Sequence, residues 1–331
     1  MAEMGWAGII VDEEHGGSGF GYVGAGVLAE QMGRNLTASP FFSTSVLGAT
    51  AVQKYGTDKQ KAQNLSKISS GESLFALAVD EGPRHNPGHI EFSAHPSGNG
   101  YVLSGNKTFV ADGHVADKLI IAARTSGSEH DAEGITLFLV DAHAPEITRE
   151  HTPMIDSRNA ANISVEGLEV TGDDILGVVD GGFEALEGIL SAGRAVLSAE
   201  MSGSAQQVFG TTTEYLKERE QFGQKIGSFQ GLQHRAAHLG TEIDMMGSAV
   251  LKSLQDLDEA FEGAGMTCSM AKAKTGQVAQ LATKEAIQMH GGIGVTDEYD
   301  VGLYFKRVHI AQQMFGDAGF HSDRWAKQSG Y

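Results

Sequence analysis

Cysteine is almost missing from this chain. Cys268 is the only one among 331 residues, so no disulfide can close within the chain and no thiolate-held metal cluster can be built. The 13 histidines are scattered, without a His-Glu-x-x-His pair or a His-x-His spacing, and no metal site is expected from them. Positive charge is scarce: 24 Lys and Arg stand against 42 Asp and Glu, a formal charge of −18. Such a surface repels a phosphate backbone, which argues against nucleic acid as a partner. Any anionic ligand must therefore be held by a few local cations and by backbone amides. No apolar run approaches the roughly 20 residues of a membrane span. Met1 to Val11 carries neither a basic region nor a small-residue cleavage site, so a cytoplasmic protein is expected.

What is present is an ordinary globular composition, 41% hydrophobic and 20% charged, long enough for two or three domains. Three blocks differ in period. From Met1 to about Gly71 the spacing is helical over Val23–Met32 and Ser45–Tyr55, and Thr57-Asp58-Lys59-Gln60 has the form of a helix start. From about Glu72 to Leu176 the pattern alternates, at Ile90/Phe92/Ala94, Ile163/Val165 and Leu168/Val170, with short apolar runs at Leu119–Ala123 and Ile135–Val140. Turn signals lie between them, including Ser97-Gly98-Asn99-Gly100 and Asp112-Gly113. That predicts an antiparallel sheet or small barrel. From about Asp180 (domain residues 177–331) long helices return. Leu232, Ala236, Leu239, Ile243, Met246, Val250, Leu254, Leu257 and Phe261 form one stripe of roughly eight turns, as in a helical bundle. Phe183–Arg219 and Met266–His290 predict two more helices, the latter stopped by Gly291-Gly292. The fold class is thus α+β and multidomain: an N-terminal helical domain (1–71), a central antiparallel β-domain (72–176) and a C-terminal four-helix bundle (177–331).

Gly19-Phe20-Gly21-Tyr22-Val23-Gly24 matches the dinucleotide pattern GxGxxG after a strand-like Ala7–Val11. No acidic residue follows in Ser43–Gly48 and no second βα unit appears, so the match reads as a glycine-rich lead into a helix.

Three other segments belong together. Arg219-Glu220-Gln221-Phe222-Gly223 is followed by Gln230, eleven residues beyond the arginine. Gln288-Met289-His290-Gly291-Gly292-Ile293-Gly294 closes a helix, and Gly105-Asn106-Lys107-Thr108-Phe109-Val110-Ala111-Asp112-Gly113 reads as a strand. An arginine beside a glycine turn can grip a pyrophosphate with its fork of N–H groups. Gly291, Gly292 and Gly294 let backbone amides approach an anion. Gln230 and Gln288 can hydrogen-bond phosphate, ribose or adenine. Taken singly, Arg219 is an ordinary helix C-terminal cation and Gly291-Gly292 an ordinary stop.

Taken jointly, these segments resemble the acyl-CoA dehydrogenase family: its RxQFG segment with a Gln at the same interval, its QxxGGxG segment, and its GxKxxIxxG strand pair with Val110 for the Ile. The resemblance covers essentially the whole chain, Met4-Gly5-Trp6 to Glu13-Glu14-His15-Gly16-Gly17 included, although the first family helices look absent, as from a truncated start. It implies FAD as cofactor, held by Arg219, Phe222, Gln230, Gln288, Gly291 and Gly292. Phe109, Val110 and Ala111 would line the flavin ring, where the family has a Trp and a Thr at the positions matching Phe109 and Ala111. Arg219 and Gln288 would act across a subunit boundary in a dimer or tetramer. The implied reaction is α,β-dehydrogenation of an acyl-CoA thioester: a carboxylate takes the α-proton and the β-hydride passes to flavin N5. Electrons would go to an electron-transfer flavoprotein in fatty acid or lipid metabolism.

The base is where this sequence departs from the pattern. One family position for its Glu, before the Arg of Ser191-Ala192-Gly193-Arg194, holds Gly193. The other, counted without gaps from Gln288, falls on Phe315; an insertion of one or two residues moves it to Gly316 or Asp317. Asp317 is the nearest carboxylate and the candidate base, or else it caps the final segment. Arg194 is a candidate substrate contact. The family's TEPGAGSD loop is replaced by Val79–Pro87, where Arg84 is a candidate for a CoA phosphate. Two other readings stand beside the dehydrogenase: a non-catalytic subunit completing an FAD site in a heteromer, and a flavin oxidase or monooxygenase on the same scaffold.

Overall fold

The computed structural model describes residues 1–331, which form two compact units: residues 1–25 with 39–193, and residues 26–38 with 194–331.

The first unit is built on an eight-stranded sheet. Its strands are β1 (Phe75–Ala78), β2 (Ser93–Ser97), β3 (Gly100–Ala111), β4 (Lys118–Arg124), β5 (Ile135–Asp141), β6 (Ile147–Pro153), β7 (Asn159–Thr171) and β8 (Ile175–Leu176). They are ordered β6-β7-β3-β2-β4-β5-β8, with β1 beside β4. Most pairings are antiparallel, as the alternating sequence implies, but β1 and β2 each run parallel to β4. The sheet is therefore mixed, and the purely antiparallel expectation is corrected. The reason is visible in β4: Leu119 to Ala123 is fully buried, the continuous apolar signature of a strand covered on both faces. The alternation at Ile90 and Phe92 also misplaces a strand. Both residues are buried but precede β2, because their backbone is engaged elsewhere: Glu81 accepts from the Glu91 and Phe92 amides.

Helices of this unit follow from local chemistry. Helix α1 (Gly21–Arg34) begins in the glycine-rich stretch; the preceding Ala7–Val11 forms turns and bends, not a strand. A π-helical segment (Phe41–Gly48) leads into α2 (Ala49–Tyr55). Its Thr44 hydroxyl accepts from the Phe75 amide at 2.9 Å, fixing the segment to β1. Helix α3 (Asp58–Ser70) starts at a capping box in which Thr57 accepts from the Gln60 amide and Gln60 accepts from that of Thr57, as the sequence indicates. In β3, Lys107 is fully buried. Its ammonium donates to the Val79 carbonyl at 3.0 Å and to Glu81 at 2.6 Å. Burial nonetheless pulls its pKa down to about 8.

The second unit is helical. Its members are the later part of α4 (Gly182–Glu218), α5 (Gln230–Glu259), α6 (Gly265–His290), α7 (Val301–Gln313) and α8 (Ala318–Gln328). Along α5 the predicted stripe is buried from Leu239 to Leu257. Leu232 and Ala236 are only half-buried, and Phe261 lies past the helix end. The last turns of α1 cross α4 at close range. A Cβ on Gly33 would stand 1.9 Å from the Glu200 carbonyl oxygen, and one on Gly203 1.9 Å from that of Glu30. Only glycine allows this reciprocal backbone contact. Beside it, Arg307 grips Glu200 with two parallel bonds, Nε to Oε1 at 2.7 Å and Nη2 to Oε2 at 2.9 Å, both side chains buried. No helix is long and apolar enough to cross a membrane.

Candidate active site

The arginine motif is a miniature hairpin. Helix α4 ends at Glu218, and β9 (Glu220–Gln221) pairs with β10 (Gln224–Lys225). The two residues between them, Phe222 (φ 54) and Gly223 (φ 78), are both left-handed, the requirement of a two-residue hairpin turn that matches strand twist. Glycine takes this conformation freely. Phe222 does so at a cost of roughly 1–2 kcal/mol while 91% exposed. Its ring meets Phe229 edge-on at 6.2 Å and otherwise faces solvent. The Ile226 amide donates to the Arg219 carbonyl at 2.9 Å and closes the hairpin. The Arg219 side chain is exposed and makes no hydrogen bond or ion pair within the chain. Gln230 opens α5 directly after this hairpin, also exposed.

The glycine motif ends α6. Gly291 adopts φ 66, ψ −142, a region essentially reserved for glycine, and Gly291 and Gly292 are both exposed. A Cβ at either would meet nothing within 4 Å, so the backbone conformation, not crowding, requires Gly291. Gln288 lies exposed in the last turn of α6.

An aromatic clasp sets the two motifs side by side. Tyr215, one helical turn before Arg219, stacks on His290 with ring centroids 4.3 Å apart, and its hydroxyl donates to the His290 carbonyl at 3.3 Å. Tyr299 meets both rings from the side. The residue before Gly291 is thus fastened to the turn before Arg219. A guanidinium without a partner in the chain, two exposed glycines, two exposed amide side chains and an exposed aromatic flank this clasp, and the Gly291 amide itself donates to the Gln288 carbonyl. That set fits the diphosphate and flanking groups of a dinucleotide.

Comparison with known proteins shows the family. Residues 1–72, 80–167 and 180–329 match the models of the acyl-CoA dehydrogenase N-terminal, middle and C-terminal domains. The probable acyl-CoA dehydrogenase YngJ of Bacillus subtilis is 31% identical over 91% of this chain and 80% of its own length. The solved butyryl-CoA dehydrogenase of Megasphaera elsdenii superposes with a TM-score of 0.91 at 25% identity, covering 99% of this chain and 88% of that one. A variant of the Tcur3481-Tcur3483 steroid ACAD gives 0.88 at 28% identity, over 98% and 86%. The chain belongs to the acyl-CoA dehydrogenase family. It is an FAD-dependent oxidoreductase that acts on acyl-CoA.

Within that family the loop before α8 is where a base is sought. Here it is Met314-Phe315-Gly316-Asp317. Phe315 is buried and left-handed (φ 56), and Gly316 follows at φ 102. Asp317 is exposed and serves as the N-cap of α8: its Oδ1 accepts from the Phe320 amide at 2.8 Å. Asp317 thus has a structural role as a cap, and Phe315, where the gap-free count falls, carries no carboxylate. Three buried groups pin the loop carbonyls. Lys272 donates to Gln312 and Gly316, each at 2.9 Å; Arg194 Nε donates to Phe315 at 3.2 Å; and His321 Nε2 lies 3.0 Å from the same oxygen. Arg194, read from the sequence as a substrate contact, is fully buried and holds this loop. Glu200 is tied to Arg307.

Burial, aided by the charge of Arg194, pulls the Lys272 pKa down to about 7. Lys107 and Lys272 therefore release their protons in the folded chain well below the 10.5 of the unfolded one. Between about pH 8 and pH 9 the unfolded chain binds more protons than the folded chain, so raising the pH through this window should increase the free energy of unfolding. Above it the buried Cys268 thiol, pushed up to about 12, acts in the opposite direction. Urea midpoints measured at pH 8 and pH 9 check this; a midpoint that falls across the interval contradicts it.

The remaining candidates lie in the first unit. A register shift between Lys107 and Val110 leaves a bulge in β3 against β7, which turns Phe109 out at φ 54, partly exposed, while Val110 stays buried and Ala111 half-buried. Bulges of this kind re-aim side chains beside sites. Arg84 stands exposed between β1 and β2 with no partner in the chain. Sequence reasoning missed Lys272, Arg307 and the Tyr215–His290 clasp. Only the last left a signal, an aromatic four residues before Arg219.

Proposed function

We propose that this chain forms the diphosphate clamp of an FAD site completed by a different subunit, and that the assembly carries out α,β-dehydrogenation of an acyl-CoA thioester with a base the chain does not itself supply. The observation that carries this reading is the Arg219 guanidinium, exposed and without a partner in the chain, on a helix clasped to the exposed Gly291-Gly292 turn. On a body of charge −18 such a cation is retained to hold an anion.

Arg219 takes the diphosphate in a forked contact. The exposed Gly291-Gly292 backbone would let the same anion come close, and Gln230 and Gln288 would bond the ribose or adenine. Phe222 offers its face to the ring system across the boundary. The Phe109–Ala111 bulge lines the flavin, and Arg84 is a contact for a CoA phosphate. When bound, FAD accepts the hydride from the substrate Cβ at N5. Electrons then leave to an electron-transfer flavoprotein.

A heteromer is favoured over a homo-oligomer because both base positions are empty of carboxylate. Gly193 occupies one and the buried Phe315 the other, while Asp317 is engaged as a cap. The Tcur3481-Tcur3483 relative, whose name joins two designations, supports a paired assembly. Asp317→Asn separates the roles, since Asn caps as well as Asp. In the assembled holoenzyme, the rate of substrate-driven flavin reduction should stay within about twofold of wild type, against the roughly 100-fold or greater loss expected when a general base is removed. Abolished reduction with flavin still bound would restore Asp317 as the base.

A further inference from the structure

The two loops flanking β2 and β5 bring together residues that lie far apart in sequence. His89 precedes β2, and Glu129 and His130 lie between β4 and β5; one ligand atom from each of the three lies within 4.8 Å of the others. His89 Nδ1 and His130 Nδ1 face each other at 3.1 Å.

The carboxylates around them decide which nitrogens carry protons. His89 Nε2 sits 2.9 Å from Glu91 Oε1, and His130 Nε2 sits 3.4 Å from Glu129 Oε1. A carboxylate only accepts, so Glu91 draws the His89 proton to Nε2 and leaves Nδ1 of that ring free to ligate. A carboxylate behind a histidine is also the arrangement that orients metal-bound imidazoles. Two nitrogens bound to one tetrahedral zinc ion are about 3.3 Å apart, given Zn–N bonds of about 2.0–2.1 Å, close to the observed separation.

The loops are held in place for this. Arg124, at the end of β4, donates Nε to the Ile90 carbonyl at 3.3 Å and Nη2 to that of Glu129 at 3.2 Å. Its Nη1 donates to the carbonyls of Asp131 at 2.8 Å and Glu133 at 2.7 Å. The Ile90 amide donates to the Glu129 carbonyl at 3.0 Å. One guanidinium thus fixes both segments that carry the histidines, so the ligands need little reorganisation.

We infer that His89, His130 and Glu129 form a binding site for a borderline divalent transition ion of the zinc type, with Glu91 as the positioning residue behind His89. Two imidazoles and one carboxylate suit zinc, nickel or copper and disfavour magnesium and calcium, which want all-oxygen shells. A solvent molecule fills the fourth position. The ion clips the segment before β2, which continues from Val79–Pro87, to the β4–β5 loop. The scan for short histidine spacings could not find it, because His89 and His130 are 41 residues apart.

Zinc competition against a chromophoric chelator, on the full chain with its flavin assembly intact, tests this. Wild type should take up one zinc per chain in competition with the chelator. His130→Ala alters an exposed loop residue and leaves the fold in place, which circular dichroism verifies. Its affinity should fall at least roughly tenfold, and that of Glu91→Gln by about tenfold, the usual effect of removing an orienting carboxylate. Equal zinc affinity in wild type and His130→Ala, or no uptake by wild type, overturns the assignment.

Discussion

Replacing Arg219 with alanine should leave the chain folded and strip the assembly of FAD. The side chain is exposed and bonds to nothing in the chain, so its loss removes no internal contact and the melting temperature of the apoprotein should not move measurably. Binding is different. Truncating one partner of a hydrogen-bonded charge pair that a ligand desolvates weakens the complex by roughly 30-fold or more. Arg219→Lys keeps the charge but loses the fork and should fall between the two. Flavin content on purification and the Kd for added FAD read the effect directly. Wild-type flavin affinity in Arg219→Ala would remove the arginine from the clamp.

The second large effect is on stability. Arg307 and Glu200 are buried and joined by two short bonds. Each ion gave up its hydration to enter the helical unit, and the pair is tolerated only because both are present. Arg307→Met leaves the Glu200 carboxylate as an uncompensated buried charge and should cost about 3–5 kcal/mol, a large share of the roughly 5–15 kcal/mol that holds a domain together. Glu200→Leu should be damaging for the mirrored reason. Combining Arg307→Met with Glu200→Leu should recover most of the loss, since an apolar pair of similar volume needs no compensation. Urea unfolding of the four proteins closes the cycle. Additive losses in the double variant would show that the two side chains do not depend on one another.

The parts of this molecule legible in the sequence are those governed by local rules. Periodicity located α4, α5 and α6 almost to the residue, because each keeps an unbroken buried stripe and ends at glycine or polar residues. The Thr57–Gln60 capping box is written entirely in four adjacent side chains. The parallel pairing of β1 and β2 with β4 was hidden, since parallel neighbours come from distant segments and leave no turn between them.

Motifs carried the candidate site in the same uneven way. Arg219, Gly291 and their intervals announce the clamp, but the clasp that sets them together depends on Tyr215 meeting His290 across 75 residues. The role of Asp317 was open in the sequence between base and cap. The fold adds a single backbone contact, the Phe320 amide on Oδ1, which no spacing rule supplies. Buried Lys272 escaped notice, and Arg194 was read as a substrate contact, because cations are normally exposed; only the folded loop shows that they hold the carbonyls of residues 312–316.

The central claim is that this chain clamps the flavin but lacks the carboxylate needed to begin dehydrogenation. Anaerobic titration with acyl-CoAs of several chain lengths, followed through the flavin absorbance, tests it most directly on two samples: the chain reconstituted with FAD alone, and the assembly purified with its partner. The flavin should stay oxidised in the first and bleach in the second. Stoichiometric bleaching by the chain alone would mean that it carries its own base.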